Sequence, residues 1–252
     1  MKFDELDSRM RVFETNYDVS VMPDVYMVAR IDGRGFTRLT KEKHNFQKPF
    51  DETFRDYMIK TTKHLMVCGF KVVYGYTQSD EISLLFDANE DTFSRKVRKY
   101  NSILAAEASA KFSLLLNDLA SFDCRISQLP GKQNVVDYFS WRNEDAHRNA
   151  LNAHCYWLLR KEGRSAGEAT KEIKGKSNAS KNELLFRHGL NFNDLPKWQK
   201  RGVGLQWESY EKAGWNPVEK KQEVAIRKKI VTNMELPMKD EYDKFIQEIL
   251  DK

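Results

Sequence analysis

Residues 25–36 read VYMVARIDGRGF, and the fold turns on how this stretch is parsed. Val25 to Ile31 is a nearly continuous apolar run rich in Val and Ile, of a length that suits a buried strand rather than a helix. The run stops at Asp32, and Gly33 and Gly35 then permit a tight turn. Working outward, Phe50, Phe54, Tyr57, Met58, Thr61 and Leu65 recur at spacings of three and four, which predicts a helix from about Phe50 to Val67. Asp51 can cap its start. FKVVYGY (70–76) and EISLLF (81–86) are strand-like, with Thr77, Gln78, Ser79 and Asp80 between them, so the pair reads as a hairpin with Asp80 at its tip. One long helix is expected from Asp91 to about Leu116, and a further strand in FDCRIS (122–127). The order strand, helix, strand, strand, helix, strand predicts an α+β fold with a ferredoxin-like core, an antiparallel sheet carrying helices on one face. This core occupies about residues 20–130 of a first unit spanning 1–132.

The remainder, residues 133–252, reads as mainly helical. A helix from about Val135 to Arg160 carries Trp141, Leu151, Tyr156 and Trp157, whose aromatic residues read as core rather than as base-stacking platforms. Ser165 and Glu168 form a capping box for the next helix. Gly202 to Trp207 and Val224 to Val231 suggest a late strand pair, and Asp240 to Leu250 a final amphipathic helix. A short polar helix is expected over residues 2–17. No internal repeat or low-complexity tract is present, and residues 210–252 carry no interpretable motif.

The 252 residues are 40% apolar and 31% charged, with a net charge of +5 and a pI near 8.9, an ordinary globular composition with a mild lean towards a polyanionic partner. Cys68, Cys124 and Cys155 lie far apart with no Cys-x-x-Cys pair, which argues against a zinc site or a disulfide framework and for a reducing cytoplasm. The charged start MKFDELDSRM lacks the apolar core of a signal peptide. No apolar run approaches the roughly 20 residues that span a bilayer.

The chemistry centres on Asp32 and Asp80. In a ferredoxin-like sheet the end of the first strand and the hairpin tip lie side by side, and two carboxylates there can bind two divalent cations about 4 Å apart. Magnesium favours such a site, completed by substrate phosphates. The competing reading is that both are turn residues, where Asp is common. Strand alternation puts Glu81 on the opposite side from Asp80, as a structural or supporting group. Arg95, Lys96, Arg98 and Lys99 crowd the start of the long helix. Arg95 and Lys99 share a face there that could grip a triphosphate or simply be solvated. From Arg142 to Arg201 there are 13 Lys and Arg against 7 Asp and Glu, a net of +6 that suits phosphate-backbone contact or plain solubility. The five histidines show no zinc-like spacing.

Four separated stretches then share a pattern: RIDGRGFTRLTKEKHNFQKPFD (30–51), YTQSDEISLLF (76–86), FDCRISQLPGKQNVVDYFSWRNEDAHRNALN (122–152) and SKNELLF (180–186). In order and spacing they resemble the tRNA-histidine guanylyltransferase superfamily. The resemblance implies a polymerase-palm core and a site with two Mg2+ ions held by Asp32, Asp80 and the Gly33 carbonyl, flanked by Glu81. It implies ATP, GTP and other nucleoside triphosphates as substrates and tRNA as acceptor, with nucleotides added in the 3′→5′ direction after ATP-dependent activation of the 5′ end. By position, Ser79, Lys96 and Lys99 match triphosphate contacts, and Arg30 and Lys48 match basic positions near the nucleotides. Arg34, Gly35 and Phe36 belong to the same nucleotide-binding stretch. Phe46, Gln47 and Asp51 fall where the activating base is held, and His147, Asn149, Lys181 and Asn182 match positions linked to activation or the tRNA end. A cytoplasmic homotetramer is implied too.

The pattern also departs from the eukaryotic members, with Thr37 for a His, Lys96 for an Arg, and His147-Arg148-Asn149-Ala150 for His-Ile-Asn-Asn. These departures point to the bacterial and archaeal branch and to template-directed repair of 5′-truncated tRNA. The alternatives are addition of a single guanosine at position −1 of tRNA-histidine, a palm-type nucleotide cyclase, and a non-catalytic RNA-binding module. The last expects exposed aromatics on the central strands, where Val25 to Ile31 offers only Tyr26.

Overall fold

A computed structural model describes residues 2–216 and 221–251. The described elements run, in chain order, α1 (Phe3–Thr15), β1 (Tyr26–Arg34), a single turn α2 (Phe36–Arg38) leading into a π-helical turn (Leu39–Lys43), α3 (Glu52–Leu65), β2 (Val72–Gln78), β3 (Glu81–Phe86), α4 (Val97–Leu116) and β4 (Ser121–Leu129). There follow α5 (Lys132–Lys161), α6 (Ala166–Ile173), α7 (Asn178–Arg187), α8 (Lys197–Arg201), β5 (Val203–Asn216), β6 (Lys221–Asn233) and α9 (Asp240–Leu250). All strand pairs are antiparallel, and the sheet order is β4-β1-β3-β2-β5-β6.

The expected α+β architecture is present, and the two helices of the β-α-β-β-α-β core do share one face. Met27, Ala29 and Ile31 of β1 and Ile82, Leu84 and Phe86 of β3 pack there with Leu65 of α3 and with Tyr100, Leu104 and Phe112 of α4. The C-terminal part closes the other face. Val28, Leu85, Tyr74 and Tyr76 meet Val135, Val136 and Phe139 of α5 and Tyr242 and Ile246 of α9. Burial on both faces is why β1 reads as an unbroken apolar run rather than an alternating one. β5 adds to the edge of the same sheet by pairing Val203–Gln206 with Tyr74–Thr77, so the C-terminal region extends the core. Beyond that contact β5 and β6 continue as a two-stranded arm on which Trp215, Val224 and Ile226 are exposed.

Two local expectations need correction. β1 runs past Asp32 to Arg34, because Asp32, Gly33 and Arg34 keep a partner in β4 (Asp123, Phe122 and Ser121) beyond the last β1–β3 pair, Asp32↔Glu81. The turn is made at Gly35, which takes φ +74°, while Gly33 is needed for space: a Cβ there would sit 2.5 Å from the Phe36 ring. The long helix expected from Asp91 begins only at Val97. Residues Thr92–Arg95 form a 3-10 turn in which Phe93, Ser94 and Arg95 all take positive φ.

The cause is Glu90, whose fully buried carboxylate collects the backbone N–H groups of Lys71 (2.5 Å) and Thr92 (2.8 Å) and the Tyr100 hydroxyl (3.0 Å). Burial alone would push this carboxyl up, but the hydrogen bonds outweigh it and hold it below the ordinary glutamate range. Three residues gathered round one buried acid override the local preference for helix. Replacing Glu90 by Ala strands two buried N–H donors, and we expect a loss of about 2–4 kcal/mol in urea unfolding. Glu90→Gln, which keeps one acceptor oxygen, should lose less, and equal losses would rule out the hydrogen-bond explanation.

Candidate active site

The sheet register builds the site. Asp32 on β1 lies directly opposite Glu81 on β3, so their side chains share a face with Arg30 two residues earlier. Ser79 and Asp80 form the two-residue turn joining β2 to β3, with Ser79 at φ +52°. The Gly33 N–H donates to the Asp80 carbonyl at 3.0 Å and locks the turn against the end of β1. The Ser79 hydroxyl donates to an Asp80 carboxylate oxygen at 3.0 Å. Three carboxylates therefore gather at one end of the sheet.

Their electrostatics differ. Asp80 is pushed up to about 6, chiefly by burial and further by the neighbouring Asp32 and Glu81, against the pull of its hydrogen bonds. Among the described residues it has no cationic partner. Asp32 has only a loose one, Arg30 at 3.6 Å. Glu81 is held between Arg30 at 3.0 Å and Arg142, whose guanidinium also reaches Asp145 at 3.2 Å. Glu81 is thus spent on structure, and Asp80 is left as a half-buried, under-compensated negative charge.

Two adjoining clefts meet at this point. One, of about 420 Å³, is charged and is lined by Arg30, Asp32, Ser79, Asp80, Glu81, Arg142, Asp145 and Asn149. The other, of about 270 Å³, is more apolar and its lining includes Phe36, Phe46, Gln47, Lys48, Asp51, Phe54, Trp157 and Trp198. Pro49, Phe50, Gln78, Ser79 and Asp80 line both. Asp51 caps α3 through the Phe54 N–H (2.9 Å) and with its other oxygen accepts the Gln47 N–H (2.8 Å), so one side chain starts the helix and shapes the slot. Lys48 donates to the carbonyls of Thr40 (2.7 Å) and Phe46, and burial holds its amine below the usual lysine range. The arrangement can take a planar base in the slot while its phosphates lie against the carboxylate cleft.

Most of the residues named from sequence come together here. Arg34 and Gly35 are exposed beside the clefts and line neither. Lys96 and Lys99 are the clear exception. Lys96 pairs with Asp18 at 2.9 Å, and the Lys99 ammonium lies over the Phe93 ring, at the end of the sheet where Arg95 bonds the Val25 carbonyl. Val25 and Asp32 are seven residues apart on an extended strand, roughly 23 Å. The structure therefore does not bring these lysines to Asp32 and Asp80 within the chain, and the break before α4 also removes the Arg95–Lys99 face. His147 lines a third cleft, Lys181 is buried on α7, and the exposed Asn182 amide donates to the Asn178 carbonyl. Arg142 and Asp145 escaped sequence reading because an Arg and an Asp one turn apart on a helix look like any solvated pair. Only the crossing of α5 over β3, marked by the Ser83–Tyr138 hydroxyl contact (3.1 Å), brings them to Glu81.

The site's ancestry is legible in comparison with known proteins. The family model described as tRNAHis guanylyltransferase matches residues 7–130, and the Thg1 C terminal domain matches residues 133–246. The chain belongs to the tRNAHis guanylyltransferase family. It is 31% identical over 229 residues to the probable tRNA(His) guanylyltransferase of Mus musculus, covering 86% of this chain and 76% of that one. Identity to the tRNA(His) guanylyltransferase of Debaryomyces hansenii is 32% over 222 residues, or 82% and 83% of the two chains. A bacterial tRNA(His) guanylyltransferase-like protein solved with ATP superimposes with a TM-score of 0.75 at 27% identity, over 97% of this chain and 99% of that one. The corresponding structure with GTP gives 0.73 at 26% identity, over 98% and 99%. As a family member the chain is a nucleotidyltransferase. The two family models meet at the start of α5, although β5 carries the second back into the sheet of the first.

If Asp80 is an under-compensated charge, Asp80→Asn should raise the stability of the metal-free protein by about 1–3 kcal/mol, read as a higher melting temperature. A lower melting temperature would show that the carboxylate is held by stabilising contacts instead.

Proposed function

We propose that this chain carries out template-directed 3′→5′ addition of nucleotides to the 5′ end of tRNA, as a 5′-end repair enzyme. The observation that carries the reading is the shared wall of the two clefts, where Ser79 and Asp80 join a base-sized aromatic slot to a carboxylate cleft. Solved relatives with ATP and with GTP, and curated relatives acting on tRNA(His), support nucleotides and tRNA as substrates.

The reaction balances in two steps. An oxygen of the RNA 5′-monophosphate attacks the α-phosphate of ATP, forming a 5′-adenylylated end and releasing pyrophosphate. The 3′-hydroxyl of an incoming nucleoside triphosphate then attacks the activated 5′ phosphate and expels AMP. Asp32 and Asp80, with the Gly33 carbonyl, would hold two Mg2+ ions, and the raised, unpaired Asp80 carboxyl fits a cation. Among the described residues no three His, Cys, Asp or Glu side chains form a closed cage, which suits an ion completed by substrate phosphates and water. Magnesium, when bound, lowers the pKa of an attacking hydroxyl and neutralises developing phosphoryl charge. Arg30 and Arg142 fix Glu81 and balance the carboxylate cluster, and Phe46, Gln47, Lys48 and Asp51 shape the slot for the activating base. Ser79 faces the triphosphate, and His147 and Asn149 on α5, with Lys181 and Asn182 on α7, are assigned to the RNA end. We assign the enzyme to the cytoplasm as a homotetramer. Its three cysteines are unpaired, and among the described residues no helix is long and apolar enough to cross a membrane.

The names of the relatives favour a second reading, addition of one guanosine at position −1 of tRNA(His). A 5′-monophosphorylated tRNA lacking its first nucleotide, incubated with magnesium, ATP and each nucleoside triphosphate in turn, separates the two. Extension only by the nucleotide complementary to the 3′ strand is expected. Guanosine addition regardless of template and confined to tRNA(His) would establish the second reading, and product from nucleotide alone would indicate a cyclase. Asp32→Ala and Asp80→Ala should each lower kcat/KM at least about 10³-fold with unchanged circular dichroism, several kcal/mol of transition-state stabilisation. Near-normal turnover in a folded Asp80→Ala protein would remove the site assignment.

A further inference from the structure

One aromatic side chain beside the site has no structural use for most of its surface. Trp141 on α5 is 54% exposed, although its neighbours Tyr138 and Phe139 are buried core. Its ring carries the Arg142 guanidinium 4.6 Å from the centroid and meets the Tyr138 ring edge-on at 5.9 Å. Arg142 is the residue that fixes Glu81 and Asp145, so the indole is mounted on the carboxylate network itself.

Trp141 lines a third cleft, of about 460 Å³, together with Asp145, His147, Arg148 and Lys239. Asp145 is the wall this cleft shares with the carboxylate cleft. Its charge is taken up by Arg142 and Arg148, and the Asn149 amide donates to it at 3.1 Å. The backbone at the cleft wall is also held in an unusual conformation. Lys239, at φ +54° and ψ −137°, holds a backbone conformation that L residues rarely adopt. Glu144 also lines the cleft, and Arg148 is paired with Asp145, which leaves Lys239 as the cation with no acidic partner among the described residues. An exposed ring beside a cation in one groove offers a stacking face for a nucleobase with its phosphate close by.

We propose that this third cleft receives the 5′-terminal nucleotide of the acceptor RNA, with its base stacked on Trp141 and its backbone facing Arg148 and Lys239. The 5′ phosphate would then extend past Asp145 into the carboxylate cleft. The indole acts as an end stop that sets how far the RNA enters, so the same reacting distance is restored after each added nucleotide. This inference rests on the RNA 5′-end reading above and assigns that site a contact which neither the sequence motifs nor the comparisons supply.

The test uses the full chain and a 5′-monophosphorylated tRNA transcript lacking its first nucleotide, with binding followed by fluorescence anisotropy without nucleotide. Wild-type protein that does not bind this RNA would overturn the RNA reading itself. With wild-type binding established, Trp141→Ala is expected to weaken RNA binding about 5- to 100-fold, the range for one lost base stack, while ATP affinity changes less than about 2-fold. Trp141→Phe should recover most of the loss. RNA binding by a folded Trp141→Ala protein equal to wild type would overturn the inference alone. A transcript carrying 4-thiouridine at its 5′ terminus gives a readout that needs no variant. Cross-linking to wild-type protein within the Trp141 peptide is the expected result, and cross-links confined to other segments would overturn the assignment.

Discussion

The antiparallel pairing of β1 with β3 in the register Asp32↔Glu81 is the constraint on which the rest depends. A shift of one residue would turn Asp32 to the α3/α4 face and bury it among apolar side chains. In the observed register Asp32, Glu81 and Arg30 share a face, and the hydrogen bond from Gly33 to the Asp80 carbonyl holds the hairpin tip against the strand end. The register is itself fixed by the two apolar faces of these strands, each covered by its own helices. Core packing and site geometry are therefore one decision.

That geometry crowds negative charge, and the fold answers it unevenly. Arg30 and Arg142 neutralise Glu81, while Asp80 keeps no cation among the described residues and Asp32 only a distant one. Such a mixture costs folding energy and favours an incoming cation, unlike an ion-pair network built for stability. The region after residue 132 supplies half of this arrangement. α5 delivers Arg142 and Asp145 to the carboxylates, and β5 and α8 help close the aromatic slot through Val203 and Trp198. Family boundaries divide the chain near residue 132, but the working unit spans both parts.

Features legible in the sequence share a local cause. β1, the β2–β3 hairpin and α3 follow from apolar periodicity, and the Asp51 cap follows from its position before that helix. Each depends on contacts within a few residues. Asp91 to Arg95 departs from the helix its local sequence favours because its conformation answers to Glu90, whose partners include Lys71 nineteen residues earlier. The proposed triphosphate grip of Lys96 and Lys99 failed to reach the aspartates for a topological reason. α4 starts where β3 ends, at the opposite end of the sheet from Asp80.

The sequence by itself determined the element order, the two aspartates at the sheet end, and through four separated motifs the family. Hydrophobic period, capping and turn chemistry are short-range and survive in one dimension. Only the tertiary structure decided which charges meet. The pairing of Glu81 with Arg142, the shared wall of the two clefts and the exposure of Trp141 all arise from α5 crossing the sheet. That crossing angle is set by packing against β1, β3 and α9 together, a sum over distant residues that no local pattern encodes.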